Sequence, residues 1–145
     1  MPRPPFAVLV LPYCVELDGE VSYAVFRGPT RSHVAWHALA GHGVRDETPL
    51  EAARREAWRI ATIPPDAAYL ALDSRRAIGA DDAAGVVAEH VFAVRVCLDE
   101  VRPRRRRLRP HWVSYEIAEG LLRSDSDVDA LRELRTRLGR PATCF

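Results

Sequence analysis

The chain contains no lysine. All 21 of its basic residues are arginine, against 20 acidic residues, which leaves a net charge of +1. So small an excess predicts no general attraction to a membrane surface and makes nucleic acid an unexpected partner. A GC-rich coding bias explains the arginine usage as well as any function does.

Cysteine is also scarce, and Cys14, Cys97 and Cys144 show no metal-binding spacing. We therefore expect reduced thiols in a cytoplasmic protein, with Cys14 and Cys97 in the core because both lie in apolar runs. The apolar run Phe6–Val15 is too short to span a bilayer and contains Pro12. It has no strongly basic leader and no small-residue cleavage site, so we expect no signal peptide.

The length of 145 residues and the hydrophobic content of 48% predict one globular domain over residues 1–145. Apolar and alternating runs predict strands, and helical periodicity predicts two C-terminal helices. The predicted strands are Phe6–Val15, Val21–Arg27, Trp36–Leu39, Tyr69–Ala77, a strand within Val86–Leu98 centred on Val91–Val96, and Pro110–Val113. The C-terminal helices run from Ser114 to about Leu122 and over Asp127–Leu138. Strands interleaved with helices indicate an α/β fold, a mixed β-sheet covered on both faces.

The central stretch is Leu39–Ile63, a glycine-containing loop that runs into a sharply started helix. Thr48 and Glu51 form a predicted capping box, in which each side chain bonds the other residue's amide. Pro49 suits the first helical position, where its missing N–H is no loss. Pro64 and Pro65 end the helix.

This loop and helix resemble the signature of the Nudix hydrolases, G-x5-E-x7-R-E-U-x-E-E-x-G-U, where U is bulky and apolar. Gly41, Glu47, Arg55 and Glu56 fall at the signature spacing. The resemblance implies a Nudix-type α/β/α sandwich with a mixed β-sheet. It also implies a pyrophosphohydrolase that acts on a nucleoside diphosphate linked to another group, with Mg²⁺ or Mn²⁺ held by carboxylates of the helix.

The second half of the signature departs from the family. Arg59 and Ile60 stand at the two adjacent glutamates, Thr62 at the second glycine and Ala57 at the bulky residue. Residues at i, i+3 and i+4 share one helix face, so Glu56 and these two positions point into one site. Arginine carries a fixed positive charge and no donor lone pair, and isoleucine offers no ligand at all. The pattern predicts a degraded metal site. The protein then either needs no metal cofactor or binds its metal ion weakly.

The resemblance covers nearly the whole chain and is greatest to the dATP pyrophosphohydrolase-like branch. The branch pattern P-x-V-L-V-x-P-Y matches Pro5–Tyr13, and W-V-x-Y-E-E-A-x-x-L-L-x-x-D-S matches Trp112–Ser126 with Ile117 in place of the second glutamate. Before that tryptophan the branch has an acidic segment. Here Arg109 stands at the position of the glutamate in that segment, so a second acidic residue that could serve the metal site is absent.

The candidate site residues follow from this pattern. Glu56 and Glu47 are the candidate catalytic carboxylates, although Glu47 more simply stabilises the loop through Arg55. Glu56, and Glu89 as a recruited ligand, are the candidates for holding a metal. The candidates for contacts with a ligand or its phosphate are Arg59, Arg55, Arg109, His42 and Gly41. The alternative for Arg59 is a solvated arginine paired with Glu56, and for Ile60 a packed core residue.

Three functions remain open at this point. The first is a weak or inactive Nudix hydrolase that binds a nucleotide or another phosphorylated small molecule. The second is an active metal-dependent hydrolase in which recruited ligands help Glu56. The third is a protein-interaction module that presents a surface such as the arginine run Arg104–Arg107 to a partner. The other interpretations of this run are a solvated loop and a contact with phosphate. Nudix proteins are often homodimers, so the resemblance also makes a homodimer an expected assembly.

Overall fold

A computed structural model of the chain describes residues 6–29, 34–73, 76–79, 86–102 and 109–139. The described strands are β1 (Ala7–Val15), β2 (Val21–Pro29), β3 (Val34–His37), β4 (Leu39–His42), β5 (Ala68–Ala71), β6 (Arg76–Gly79), β7 (Val86–Arg95) and β8 (Pro110–Val113). The described helices are α1 (Pro49–Ala61), α2 (Tyr115–Leu121) and α3 (Asp125–Gly139), with a short 3-10 turn at Leu98–Glu100. Within these ranges, no helix has the length and apolar content needed to cross a membrane.

The strands form one mixed sheet in the order β3-β2-β1-β7-β5, in which β4 also pairs with β1, β6 with β7, and β8 with β2. The central pair β1–β7 is parallel, and the other pairs are antiparallel. In β1 the side chains point alternately to the two faces, yet eight of its nine residues are buried. A strand buried on both faces explains the nearly continuous apolar run in the sequence.

Helices cover both faces of this sheet. The helix α1 packs on one face against a cluster that includes Val10, Phe26 and Val94. The helices α2 and α3 pack on the other face, where Leu131 and Leu134 meet Leu11 and neighbouring residues. The predicted mixed α/β/α sandwich is therefore confirmed.

Several predicted boundaries need correction. The expected single strand Trp36–Leu39 is two strands, β3 and β4, which pair with β2 and β1 respectively. The expected strand Tyr69–Ala77 is likewise divided into β5 and β6, both paired with β7. The strand β7 covers Val86–Arg95, so it begins five residues before the predicted centre Val91–Val96, and β2 continues to Pro29. Cys14 is buried as expected, but Cys97 is exposed.

Candidate active site in the loop before helix α1

Short-range hydrogen bonds shape the loop between β4 and α1. The Thr48 hydroxyl accepts from the Glu51 amide at 3.2 Å, and the Glu51 carboxylate accepts from the Thr48 amide at 2.8 Å, so the predicted capping box is present. Upstream, the Val44 amide donates to Oε1 of Glu47 at 3.0 Å. These contacts fix the start of α1 and place Glu47 beside it.

Arg55 links three parts of the loop and helix. Its Nε and Nη2 donate to the two carboxylate oxygens of Glu47 at 2.8 and 3.0 Å, a bidentate pair. Its Nη2 also donates to the carbonyl oxygen of His42 at 2.7 Å, and its Nη1 donates to Oε1 of Glu56 at 2.9 Å. The structure therefore contains the Glu47–Arg55 contact through which we expect Glu47 to stabilise the loop.

Glu56 is the buried centre of the site, with 6% of its surface exposed. Its Oε1 accepts from Nε of Arg59 at 2.7 Å and from Nη1 of Arg55 at 2.9 Å. Its Oε2 accepts from Nη2 of Arg59 at 3.1 Å and from the amide of His42 at 3.3 Å. Each oxygen therefore receives two N–H donors, and Arg59 binds the carboxylate through two nitrogens.

These donors keep the carboxylates ionised. Burial opposes ionisation of Glu56, but the hydrogen bonds and charges of Arg59, the His42 amide and Arg55 outweigh it and hold the pKa of Glu56 below its ordinary value. The hydrogen bond from Arg55 is the main cause of a lowered pKa of Glu47. Two carboxylates and two guanidinium groups thus balance in charge within one network.

The partners of Glu56 in this network are N–H groups, whereas magnesium and manganese prefer oxygen ligands. Both oxygens of Glu56 are engaged by N–H groups, and the next residues on its helix face are a guanidinium and an alkyl chain. Across the described part of the chain, no group of three or more His, Cys, Asp or Glu residues is close enough to hold a metal ion. Ile60 is half-buried and packs against the core cluster under α1, as expected of a core residue.

The remaining candidates lie at different distances from this network. Gly41 touches the Glu56 side chain, and His42 contributes its backbone groups while its side chain is exposed. Arg109 is exposed immediately before β8, and among the described residues no hydrogen bond joins it to Glu56. Arg104–Arg107 and Cys144 lie outside the described residues.

Glu89 is placed on the opposite face of the sheet from Glu56. Gly41, which touches Glu56, pairs with Val8, whereas Glu89 pairs with Ala7, the neighbouring residue of β1. Adjacent residues of a strand point to opposite faces, so the structure does not bring Glu89 to Glu56. Glu89 is buried, and its Oε1 has no hydrogen-bond partner among the described residues.

Asp127 is a buried carboxylate that the sequence did not single out. It lies in the first turn of α3, and its Oδ2 accepts from the amide of Ala38 at 3.4 Å. Burial, reinforced by the charge of Glu89 and opposed by the Ala38 amide and by His37, raises its pKa to about 6. Its partner is 89 residues away in sequence, so no local signal could have identified it.

Comparison with solved structures agrees with this fold. No family profile and no curated protein sequence matches the chain. Among solved structures, a Nudix hydrolase from Listeria monocytogenes superposes with a TM-score of 0.81 at 30% identity, over 92% of this chain and 94% of the other. The dihydroneopterin triphosphate pyrophosphohydrolase of E. coli superposes with a TM-score of 0.71 at 16% identity, over 92% and 96% of the two chains.

A third structure contains a ligand. The Nudix domain of NrtR from Shewanella oneidensis, in complex with ADP-ribose, superposes with a TM-score of 0.72 at 12% identity, over 95% of this chain and 90% of the other. The two structures below 25% identity support the fold alone, whereas the Listeria protein supports the family as well. The sequence spacing, the sandwich and this similarity lead to one conclusion: the chain belongs to the Nudix hydrolase family.

Proposed function

We propose that this chain is a Nudix protein that binds a nucleotide-like phosphorylated ligand without a divalent metal and hydrolyses it weakly or not at all. One observation carries the proposal. Arg59 binds both oxygens of Glu56, the carboxylate that the family signature assigns to magnesium, at 2.7 and 3.1 Å. The guanidinium group of Arg59 thus neutralises the charge of Glu56.

The charge balance supports binding of an anion. Three ionised carboxylates would repel a phosphate unless a metal stood between them. In this chain Arg55 and Arg59 offset Glu47 and Glu56, so an approaching phosphate meets no excess negative charge. Guanidinium groups also bind phosphate oxygens through pairs of N–H donors.

The two arginines remain within reach of solvent. The side chain of Arg59 is 57% exposed and that of Arg55 is 39% exposed, while Glu56 beneath them is 7% exposed. Nη1 of Arg59 takes no part in the bonds to Glu56. We assign to these outward N–H groups the contact with the phosphate of the ligand.

Weak hydrolysis follows from the state of Glu56. A general base needs a free oxygen within hydrogen-bond reach of the water that it activates. Each carboxylate oxygen of Glu56 already accepts hydrogen bonds from two N–H groups, and the lowered pKa of Glu56 makes it a weaker base. Removing Arg59 and restoring carboxylates at positions 59 and 60 would reverse both conditions.

The ligand class rests on the relatives. The Shewanella protein binds ADP-ribose in a Nudix domain, and the E. coli protein is named for a pyrophosphohydrolase acting on a triphosphate. A phosphorylated nucleoside or a comparable diphosphate ester is therefore the class to be tested first. ADP-ribose and the four deoxynucleoside triphosphates are suitable probes.

The first test is calorimetric binding of these probes in the presence of EDTA. We expect binding by the wild type, and a loss of about ten- to a hundredfold in affinity for Arg59→Met, because a charged hydrogen bond is removed. Arg135→Met is the matched control, since the Arg135 side chain is also 57% exposed but pairs with an exposed glutamate. Absence of binding to every probe would refute the proposal.

The second test measures hydrolysis of the same probes with Mg²⁺ or Mn²⁺. We expect little turnover by the wild type and a gain of activity in the double variant Arg59→Glu/Ile60→Glu. Rapid turnover by the wild type that is lost in Glu56→Gln and on chelation would instead favour the metal-dependent hydrolase. If both proteins are inactive and neither binds a probe, the interaction module becomes the better hypothesis, and the half-buried Ile60 would agree with it.

A further inference from the structure

Arg54 and Tyr69 form a pair between α1 and β5, the strand at one end of the sheet order. The guanidinium carbon of Arg54 lies 5.8 Å from the centre of the Tyr69 ring, close to the outer limit of about 6 Å for a cation–π contact. Tyr69 also meets Phe92 of β7 edge to face, with ring centres 6.5 Å apart. Arg54 and Tyr69 are both half-buried, so part of each side chain is within reach of solvent.

This pair contains two polar groups without hydrogen bonds. Nε of Arg54 and the hydroxyl of Tyr69 are both shielded from solvent, and neither has a hydrogen-bond partner among the described residues. A buried polar group without a partner destabilises the fold, and each such group in a native protein calls for an explanation. Two of them side by side suggest that the missing partner comes from outside the chain.

Both groups need an acceptor. The guanidinium group of Arg54 has donors only and is always positively charged. Burial, opposed by the charge of Arg54, raises the pKa of Tyr69 to about 12, so its hydroxyl keeps its proton at neutral pH. Among the described residues, no carboxylate forms an ion pair with Arg54. The partner that fits is therefore a negatively charged group with acceptor oxygens.

A second arginine–tyrosine pair in the chain provides a contrast. The guanidinium carbon of Arg135 lies 4.1 Å from the centre of the Tyr115 ring. The hydroxyl of Tyr115 donates to Oε2 of Glu119 at 2.9 Å, and Nη2 of Arg135 lies 3.9 Å from Oε2 of Glu116. At that pair the chain supplies both acidic partners, whereas its described residues supply neither at Arg54 and Tyr69.

We propose that Arg54 and Tyr69 form a second anion-binding site, which binds a phosphate group through the guanidinium of Arg54 and the hydroxyl of Tyr69. A phosphate group presents several acceptor oxygens in different directions, so one group can accept from a helix and from a strand at once. Arginine matches phosphate oxygens through paired N–H donors. The inference goes beyond the proposed contact of Arg55 and Arg59 with a ligand and does not depend on it.

The site is separate from the network around Glu56. Successive residues of an α-helix are turned by about 100° from each other, so the side chains of Arg54 and Arg55 leave α1 in different directions. Arg55 binds Glu47 in the loop before the helix, whereas Arg54 lies over Tyr69 of β5. The phosphate group at Arg54 is therefore either a free ion or a further phosphate of the ligand held at Arg55 and Arg59.

Entry of the phosphate group requires one side chain to move, because Nε of Arg54 and the Tyr69 hydroxyl are shielded from solvent. Arg54 is suited to this movement, since its described contact is the distant one with the Tyr69 ring. Binding would exchange a weak cation–π contact for charge-assisted hydrogen bonds. The gain from these bonds is what favours the bound state.

The test follows the Nε–Hε resonance of Arg54 by NMR while inorganic phosphate is added to the full chain. Arg54→Met assigns the resonance, and sodium chloride at equal ionic strength is the reference. We expect a saturable shift with phosphate that chloride does not produce. Arg59→Met should retain this shift, because Arg59 lies outside the site. If phosphate causes no saturable shift, the proposal is wrong, and the function proposed for Arg59 is unaffected.

Tyr69→Phe tests the role of the hydroxyl. We expect the phosphate affinity, measured at the Arg54 resonance, to fall about tenfold, because a hydrogen bond to a charged group is lost. Without phosphate, the variant should resist urea at least as well as the wild type, since a hydroxyl without a partner is removed. An unchanged phosphate affinity in Tyr69→Phe would contradict the proposal.

Tyr115→Phe is the matched control, because it removes a tyrosine hydroxyl that has a partner in Glu119. It should leave the shift of the Arg54 resonance and the phosphate affinity unchanged, and it should unfold at a lower urea concentration than the wild type. An equal loss of phosphate affinity in Tyr115→Phe and Tyr69→Phe would show that the Tyr69 hydroxyl has no specific role.

Titration with ADP-ribose in phosphate-free buffer identifies the source of the phosphate group. If ADP-ribose shifts the Arg54 resonance and binds about tenfold more weakly to Tyr69→Phe, the site holds a phosphate of the nucleotide-like ligand. If inorganic phosphate shifts the resonance and ADP-ribose does not, the site binds the free ion. Both results support the site and differ only in what supplies the phosphate group.

Discussion

The α carbon of Gly41 lies directly against the side chain of Glu56. A β carbon built on Gly41 would stand 2.6 Å from Cγ and 2.7 Å from Cδ of Glu56. Contacts so short are not found in real structures, so one of the two groups would have to move. The glycine that begins the Nudix signature therefore leaves room for the carboxylate of the same signature.

Gly41→Ala is predicted to displace Glu56 and to lower the free energy of unfolding by about 1 to 3 kcal/mol, the usual range for overpacking. Urea unfolding monitored by tryptophan fluorescence would measure this. Gly120→Ala is the matched control, because a β carbon there meets nothing within 4 Å and Gly120 lies inside α2. The control should gain up to about 1 kcal/mol. Equal stability of the two variants would contradict the contact.

Arg59→Met is predicted to lower the free energy of unfolding at pH 7 by about 1 to 2 kcal/mol, since a buried carboxylate loses a bidentate partner that is itself more than half exposed. The folded-state pKa of Glu56 lies below its ordinary value of 4.5. The ionised pair therefore stabilises the protein above pH 4.5, and this contribution disappears as the pH falls through the lowered value.

The difference between wild type and Arg59→Met should accordingly shrink in acid. Denaturant titrations at several pH values would follow it. Arg135→Met should cost less than about 1 kcal/mol, although Arg135 also lies 4.1 Å above the ring of Tyr115, because its partner Glu116 is exposed. A pH-independent loss in Arg59→Met would mean that packing, rather than the charge of Glu56, is responsible.

Asp127→Asn is predicted to stabilise the protein above pH 6 and to have little effect near pH 4. The pKa of Asp127 rises from 3.8 to about 6 on folding, so the folded state holds its proton more tightly than the unfolded chain. As the pH rises through about 6, the buried charge costs up to about 2 to 3 kcal/mol. Asparagine avoids this cost and can still accept from the amide of Ala38.

Unfolding free energies of wild type and Asp127→Asn, measured from pH 4 to pH 8, would test this. Asp125→Asn is a useful control, because Asp125 lies in the same first turn of α3 but is exposed. We expect no pH-dependent gain in the control. A constant difference between wild type and Asp127→Asn across the range would show that Asp127 does not titrate as described.

Thr62 has a strained backbone conformation, and we predict that a hydrogen bond from its side chain offsets the strain. It ends α1 in the left-handed region with φ 54°, where the family signature has glycine. A β-branched residue is unfavourable there, but the Thr62 hydroxyl donates to the carbonyl of Arg102. Thr62→Ala keeps the backbone strain and loses the bond, so we expect a loss of about 1 kcal/mol.

Thr62→Gly loses the same bond but removes the strain, so its stability should stay within about 0.5 kcal/mol of the wild type. Thermal or urea unfolding of the two variants provides the comparison. If the glycine variant is the less stable of the two, the left-handed conformation carries no significant strain in this chain.

Much of the candidate site was predictable because its contacts are short in sequence. The capping box joins Thr48 and Glu51, and the Arg59–Glu56 pair joins residues one helical turn apart. The spacing of Gly41, Glu47 and Arg55 in the sequence is enough to indicate the Nudix loop. Helix geometry alone brings such residues together, so the residue order determined these parts of the site.

Only the tertiary structure determined those parts of the site that depend on which strands pair and in which register. The register of β4, β1 and β7 placed Glu89 on the face of the sheet opposite Glu56. Asp127 accepts a hydrogen bond from the amide of Ala38, which lies 89 residues away in sequence and between β3 and β4. A strand pattern reveals that side chains alternate, but only the partner strands determine which face each one occupies and what it meets there.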